Sequence, residues 1–132
     1  MYKKLIGLGS FFGILLFLMN AMADYFYWYV TIWWFDMLMH TLGGIFVALI
    51  VGAVFQKRIS LLYNSQEKKK IIIFIVSAVF AIGFLWEGYE YIVQFFIKGV
   101  HLADIPDSIS DLLCDVFGGL LGAFFVINKN KS

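Results

Sequence analysis

The chain of 132 residues is 62% hydrophobic and 14% charged, with ten Lys and Arg, nine Asp and Glu, and a formal net charge of +1. A soluble domain of this size cannot bury so much apolar surface, and the mean hydropathy of +0.87 points to hydrocarbon as the solvent. The small net charge gives no footprint of a nucleic-acid partner and none is expected; one cysteine, Cys114, excludes an internal disulfide.

Four apolar segments stand out, at about 5–22, 34–55, 71–97 and 108–127. Each is long enough to cross about 30 Å of hydrocarbon at about 1.5 Å per residue. The expectation is an all-α polytopic bundle of four transmembrane helices, forming one domain over 1–132. Lys3, Lys4, an apolar run and "AMA" before Asp24 have the outline of a signal peptide. The run is longer than a usual signal core, so it is read as the first helix. The connection "ADYFYWYVTIWW" is dense in Tyr and Trp, which suits a membrane–water interface. The other connections, "QKRISLLYNSQEKKK" and "KGVHLADIPD", are polar.

Of the ten cationic residues, all but Lys98 fall at Lys3, Lys4, Lys57, Arg58, Lys68, Lys69, Lys70, Lys129 and Lys131. Four crossings place these nine on one side. The positive-inside rule makes that side cytoplasmic, with both termini inside.

The acidic residues take the opposite side, all but Glu67. Asp36 and His40 fall within about two turns of the outer start of the second helix. Glu87 and Glu90 lie about 24 and 28 Å along the third, at the rise of an α-helix. Asp111 and Asp115 fall in the first two turns of the fourth. Asp36/His40 and Asp111/Asp115 are i,i+4 pairs and Glu87/Glu90 is i,i+3, so each pair shares one helix face. Ionisable groups at membrane depth face the bundle interior or a wet cavity. Five ionised carboxylates would give the pocket a charge of about −5, which like-charge repulsion forbids without a cation, retained protons or a cationic ligand. Lys98 and His101 offer partial relief from the outer loop.

"DMLMHTLGG" (36–44) and "DLLCDVFGG" (111–119) share the frame D-x-x-x-[H/D]-x-x-G-G, 75 residues apart. Two helical hairpins of the same orientation follow as a partial pseudo-repeat, because the first helix lacks a counterpart of Glu87 and Glu90. Gly118-x3-Gly122 and Gly44-x3-Ala48-x3-Gly52 are small-residue faces that let helices approach closely, within the bundle or in a homodimer.

Each of these signals has an ordinary structural reading. Asp36 would cap the second helix. Pro106, Asp107 and Ser108-x-x-Asp111 look like a helix start with a capping box. His40 alone would be a hydrogen-bonded interior histidine, and the glycines plain packing. Asp115 lies beyond capping reach. "WEGYE" is the hardest to explain structurally, since Glu87 is not at a helix start. Tyr89 and Tyr91 read as interface anchors. Carboxylates with one imidazole suit Mg²⁺, Mn²⁺ or Zn²⁺ as the cation. Cys114 points about 100° away from Asp115 on a helix and is not counted as a ligand.

"FDMLMHTLGG", "GFLWEGYEY" and "DSISDLLCDVFGGLLGA", in that order on consecutive helices, resemble the VanZ-like and YjdF-type bacterial membrane proteins. The frame is D-x3-H, then an acidic motif, then D-x3-[DN]-x2-G, over residues 35–125. WE-x-x-E with Asp115 is closer to the YjdF type, because a VanZ-like chain more often has Gln and Asn there. The resemblance implies a small polytopic envelope protein and carries over Asp36, His40, Glu87, Glu90, Asp111 and Asp115.

The reading is a pocket that binds a divalent cation and a phosphate- or glycan-bearing envelope lipid. A hydrolytic version makes it a metal-dependent hydrolase, with His40 or Glu87 as general base and Asp36, Glu90, Asp111 and Asp115 as ligands; His40 and Glu87 are candidate ligands as well. A non-catalytic glycopeptide-resistance factor and a proton- or cation-coupled transporter are the competing classes.

Overall fold

A computed structural model of the chain describes residues 2–93, 95–96 and 105–129. Its elements are α1 (Tyr2–Phe26), α2 (Trp28–Thr31), α3 (Phe35–Val54), α4 (Gln56–Asn64), α5 (Lys68–Val93) and α6 (Ile105–Lys129), and the described residues include no strand. Four of these helices, α1, α3, α5 and α6, are long and apolar enough to cross a membrane. The all-α, four-span architecture expected from the sequence is the one observed.

The boundaries differ from the apolar segments for physical reasons. α1 and α5 run past their apolar segments into flanking lysines, which are good helix formers outside hydrocarbon. The end of the expected third segment, at residues 94 and 97, lies outside the described residues, as do Lys98 and His101. α6 begins at Ile105, before the expected start, with Pro106 in the first turn where its missing N–H costs no bond. The polar 56–70 connection contains α4. Its Ile59 is fully buried while Lys57 and Arg58 remain exposed.

α3 is the central helix, packing most extensively on α6 and also on α1 and α5. α6 packs on α5 as well. Two faces of α3 explain this position. On one, Ile50 and Phe46 lie against Gly9 and Gly13 of α1, where a Cβ would approach them to 2.8 and 3.1 Å. This small-x3-small pair in α1 was not among the expected packing faces. On the other, Gly44 faces the Asp115 carbonyl oxygen of α6, and Gly118 faces the Thr41 carbonyl oxygen of α3. A Cβ at either glycine would collide with backbone, so only glycine permits this crossing. Gly52 against Val126 and Gly122 against Ala48 extend the contact toward the other end. The pairings run in the same order along both helices, so α3 and α6 are parallel neighbours.

The bundle has two chemically distinct ends. Leu5, Ala53, Ile59, Ile71, Ile75 and Val126 share one apolar core, which gathers the start of α1, the end of α3, α4, the start of α5 and the end of α6. The described cations, Lys3, Lys4, Lys57, Arg58, Lys68, Lys69, Lys70 and Lys129, flank this end. The opposite end holds the described acidic residues except Glu67, which pairs with Lys70. Outward, α6 exposes Ile109, Leu113, Phe117, Leu121 and Phe124 along one stripe, and α1 exposes Phe11, Ile14, Phe17 and Leu18. Apolar stripes of this kind are satisfied by lipid tails.

Candidate functional site

At the acidic end the three helices α3, α5 and α6 bring all six expected polar residues together, five carboxylates around the His40 imidazole. α3 supplies Asp36 and His40 one turn apart. α6 supplies Asp111 and Asp115 one turn apart. α5 supplies Glu87 and Glu90. The glycine crossing of α3 and α6 lies one turn beyond His40 and Asp115 and sets the spacing of the side chains above it.

His40 is only 7% exposed, Asp111 3% and Asp115 6%. His40 Nδ1 lies 3.3 Å from Asp115 Oδ1. His40 Nε2 faces three oxygens at one distance: 3.8 Å to Asp36 Oδ1, 3.8 Å to Glu87 Oε1 and 3.8 Å to Asp111 Oδ2. That separation is too long for a hydrogen bond. Glu90 completes the ring and accepts a 2.9 Å hydrogen bond from the Trp86 indole. Glu87 Oε1 and Asp115 Oδ2 are buried without a hydrogen-bond partner. Buried carboxylate oxygens in that condition are costly, and each asks for an ion or a proton. No Lys or Arg occurs in residues 34–55, 71–97 or 105–128 to neutralise the ring.

Two groups of donor atoms lie close enough to share a cation. Asp36, His40 and Asp111 form one and His40, Glu87 and Glu90 the other, with all donors of each group within 4.8 Å of one another. Metal bonds to imidazole and carboxylate are about 2.0–2.2 Å, so two ligands of one ion sit about 3–4 Å apart. The 3.8 Å spacings around Nε2 fall in that range.

The ordinary readings of two residues are corrected here. Trp34 is the N-cap of α3 and no side chain caps that end, so Asp36 does not cap; its carboxylate faces His40 instead. Asp111 does not close a capping box, because α6 starts at Ile105 and places it in the second turn, buried against His40. Asp115 falls one turn further in than the first two turns expected. Cys114 lies beside Thr41 and belongs to neither group of cation-compatible donors.

Two contributors carried no functional signal in the sequence. Gly83 of α5 abuts the Asp115 carboxylate: a Cβ there would collide with Oδ2. Tyr29 of α2 donates a 2.7 Å hydrogen bond to Asn20 Oδ1 at the rim. Burial, and then the charges of Asp36, Asp24 and Glu90, push its phenol up to about 12. Tyr29 therefore stays protonated beside the acidic ring.

No curated protein and no solved structure matches the chain. A family model described as "Predicted membrane protein (DUF2238)" matches residues 5–131, nearly its whole length. This is the YjdF side of the resemblance, and the VanZ-like side finds no match of its own. The four apolar spans and the matched residues together make the chain a member of the DUF2238 family of predicted membrane proteins.

Proposed function

We propose that the polar pocket binds a divalent cation and, through it, the phosphate-bearing or glycan-bearing head of an envelope lipid. The observation that carries this reading is the set of three carboxylate oxygens equidistant from His40 Nε2, in a cluster with no Lys or Arg in residues 34–55, 71–97 or 105–128. Asp36, His40 and Asp111 form the ligand set, with Glu87 and Glu90 on the adjoining side. Mg²⁺, Mn²⁺ and Zn²⁺ all accept carboxylate and imidazole donors.

The lipid is supported by position. The pocket lies at one end of a bundle whose outer faces are apolar, which would put it near the lipid heads. The positive-inside rule turns this end outward, in a bacterial plasma membrane with both termini cytoplasmic. A bound cation would polarise a phosphoryl oxygen. Glu87 is better placed than His40 as general base, because both His40 nitrogens face other carboxylates and Glu87 Oε1 has no hydrogen-bond partner.

The test is metal analysis of the protein purified in detergent, stripped with chelator and reloaded. About one equivalent of Mg²⁺, Mn²⁺ or Zn²⁺ is expected, and Asp36→Asn/Asp111→Asn together should lose it. Absence of stoichiometric metal in the unmodified protein removes the reading. Phosphate release from a polyprenyl phosphate or diphosphate would identify a hydrolase; retained lipid without release would identify a holder.

A further inference from the structure

The two ring nitrogens of His40 have different neighbours. Nδ1 meets Asp115 Oδ1 at 3.3 Å, within hydrogen-bond reach. Nε2 has only the three oxygens at 3.8 Å. An ionised carboxylate accepts and does not donate, so on this contact Nδ1 carries the hydrogen. In a neutral ring with that hydrogen, the Nε2 lone pair would face Asp36, Glu87 and Asp111 and be open to an ion.

Asp115 is itself held from behind. Its Oδ2 is buried and seated on Gly83 of α5, where a Cβ would collide with that oxygen and lie 3.1 Å from Cγ and 3.4 Å from Cβ. Its backbone carbonyl is fixed against Gly44 of α3. Among the described residues, neither group of cation-compatible donors includes Asp115. A metal-binding histidine usually donates its second N–H to a carboxylate or carbonyl, which fixes the ring and its hydrogen.

We infer that Asp115 is a positioning residue for His40 and not a ligand, and that Gly83 is the seat that holds Asp115 in place. This rests on the cation reading above and replaces the ligand role that spacing assigned to Asp115. Asn at 115 can turn its amide N–H toward Nδ1, which moves the ring hydrogen onto Nε2, where the ion would bind. Ala at 83 displaces the Asp115 carboxylate without touching any donor of the two groups.

The experiment uses the full chain in detergent with His101→Gln, so that His40 is the one imidazole, labelled with ¹⁵N and titrated with Zn²⁺. The expected spectrum keeps Nδ1 protonated and puts Zn²⁺ on Nε2. Asp115→Asn and Gly83→Ala should each still bind one Zn²⁺, about 10–100-fold more weakly. Zn²⁺ on Nδ1 in the parent protein overturns the inference. So does loss of all stoichiometric binding in Asp115→Asn, which would make Asp115 a ligand, or parent-like affinity in both variants. Parent-like affinity in Gly83→Ala alone overturns the seat. If the parent protein binds no ion, the cation reading fails first and the inference falls with it.

Discussion

His40 and Asp115 occupy equivalent places in two copies of one motif, 75 residues apart, and they face each other across the α3–α6 crossing at 3.3 Å. Gly44 and Gly119 are also equivalent, and a Cβ on Gly44 would come within 3.0 Å of the Gly119 nitrogen. Equivalent residues of the two parallel helices meet at these points, but Gly118 faces the Thr41 carbonyl whereas its counterpart Gly43 meets nothing within 4 Å. The relation is partial, because α5 packs on α3 as well as on α6 and alone supplies glutamates.

The crossing predicts unequal effects at neighbouring glycines. Gly44→Ala and Gly118→Ala put a methyl group into backbone of the facing helix. Each should destabilise the bundle by about 1–3 kcal/mol, the usual cost of overpacking. Gly43→Ala and Gly88→Ala meet nothing within 4 Å and should be neutral or slightly stabilising. Denaturant titration in detergent micelles decides it, and equal effects at Gly43 and Gly44 would contradict the crossing.

His40→Ala leaves five carboxylates around a cavity. Removing the one basic member of a buried charged cluster costs about 3–5 kcal/mol. Lower pH protonates carboxylates and relieves their repulsion, so the variant should recover part of its stability on acidification. Melting temperatures of the variant against pH check the sign; a further loss on acidification would exclude repulsion as the cause.

A cation that binds only the folded bundle stabilises it by mass action, by about 2.7 kcal/mol at a hundred times its Kd. Melting temperature should therefore rise with added Mg²⁺, Mn²⁺ or Zn²⁺ and fall with chelator. Asp36→Asn/Asp111→Asn should flatten the response. A response that survives in this double variant would place the ion elsewhere.

Tyr29 gives a prediction in alkali. Its phenol is pushed up to about 12 by burial first and then by Asp36, Asp24 and Glu90. A raised acid contributes stability that is complete below its unfolded value of about 10 and is lost as pH climbs through the folded value. The ultraviolet difference between the parent and Tyr29→Phe should thus show one tyrosine ionising near pH 12. An ionisation near 10 would mean that Tyr29 does not face the acidic rim. At neutral pH Tyr29→Phe loses the bond to Asn20, worth about 1 kcal/mol or less at this exposed site.

The amino-acid sequence alone determined the four spans, the separation of basic and acidic ends, and the helix face of each polar pair. Those features depend on hydrophobic run length and on the 3.6-residue period, both local properties of the chain. α4 was hidden because its short amphipathic pattern sits inside a stretch rich in charge. Asp36 and Asp111 read equally well as caps, since capping and site residues use the same side chains near helix starts. Only the tertiary structure decided that five carboxylates surround His40, that Asp115 meets Nδ1 while three others meet Nε2, and that Gly83 makes room for Asp115. Relative rotation and stagger of helices come from packing at Gly44, Gly83 and Gly118, and no single helix contains that information.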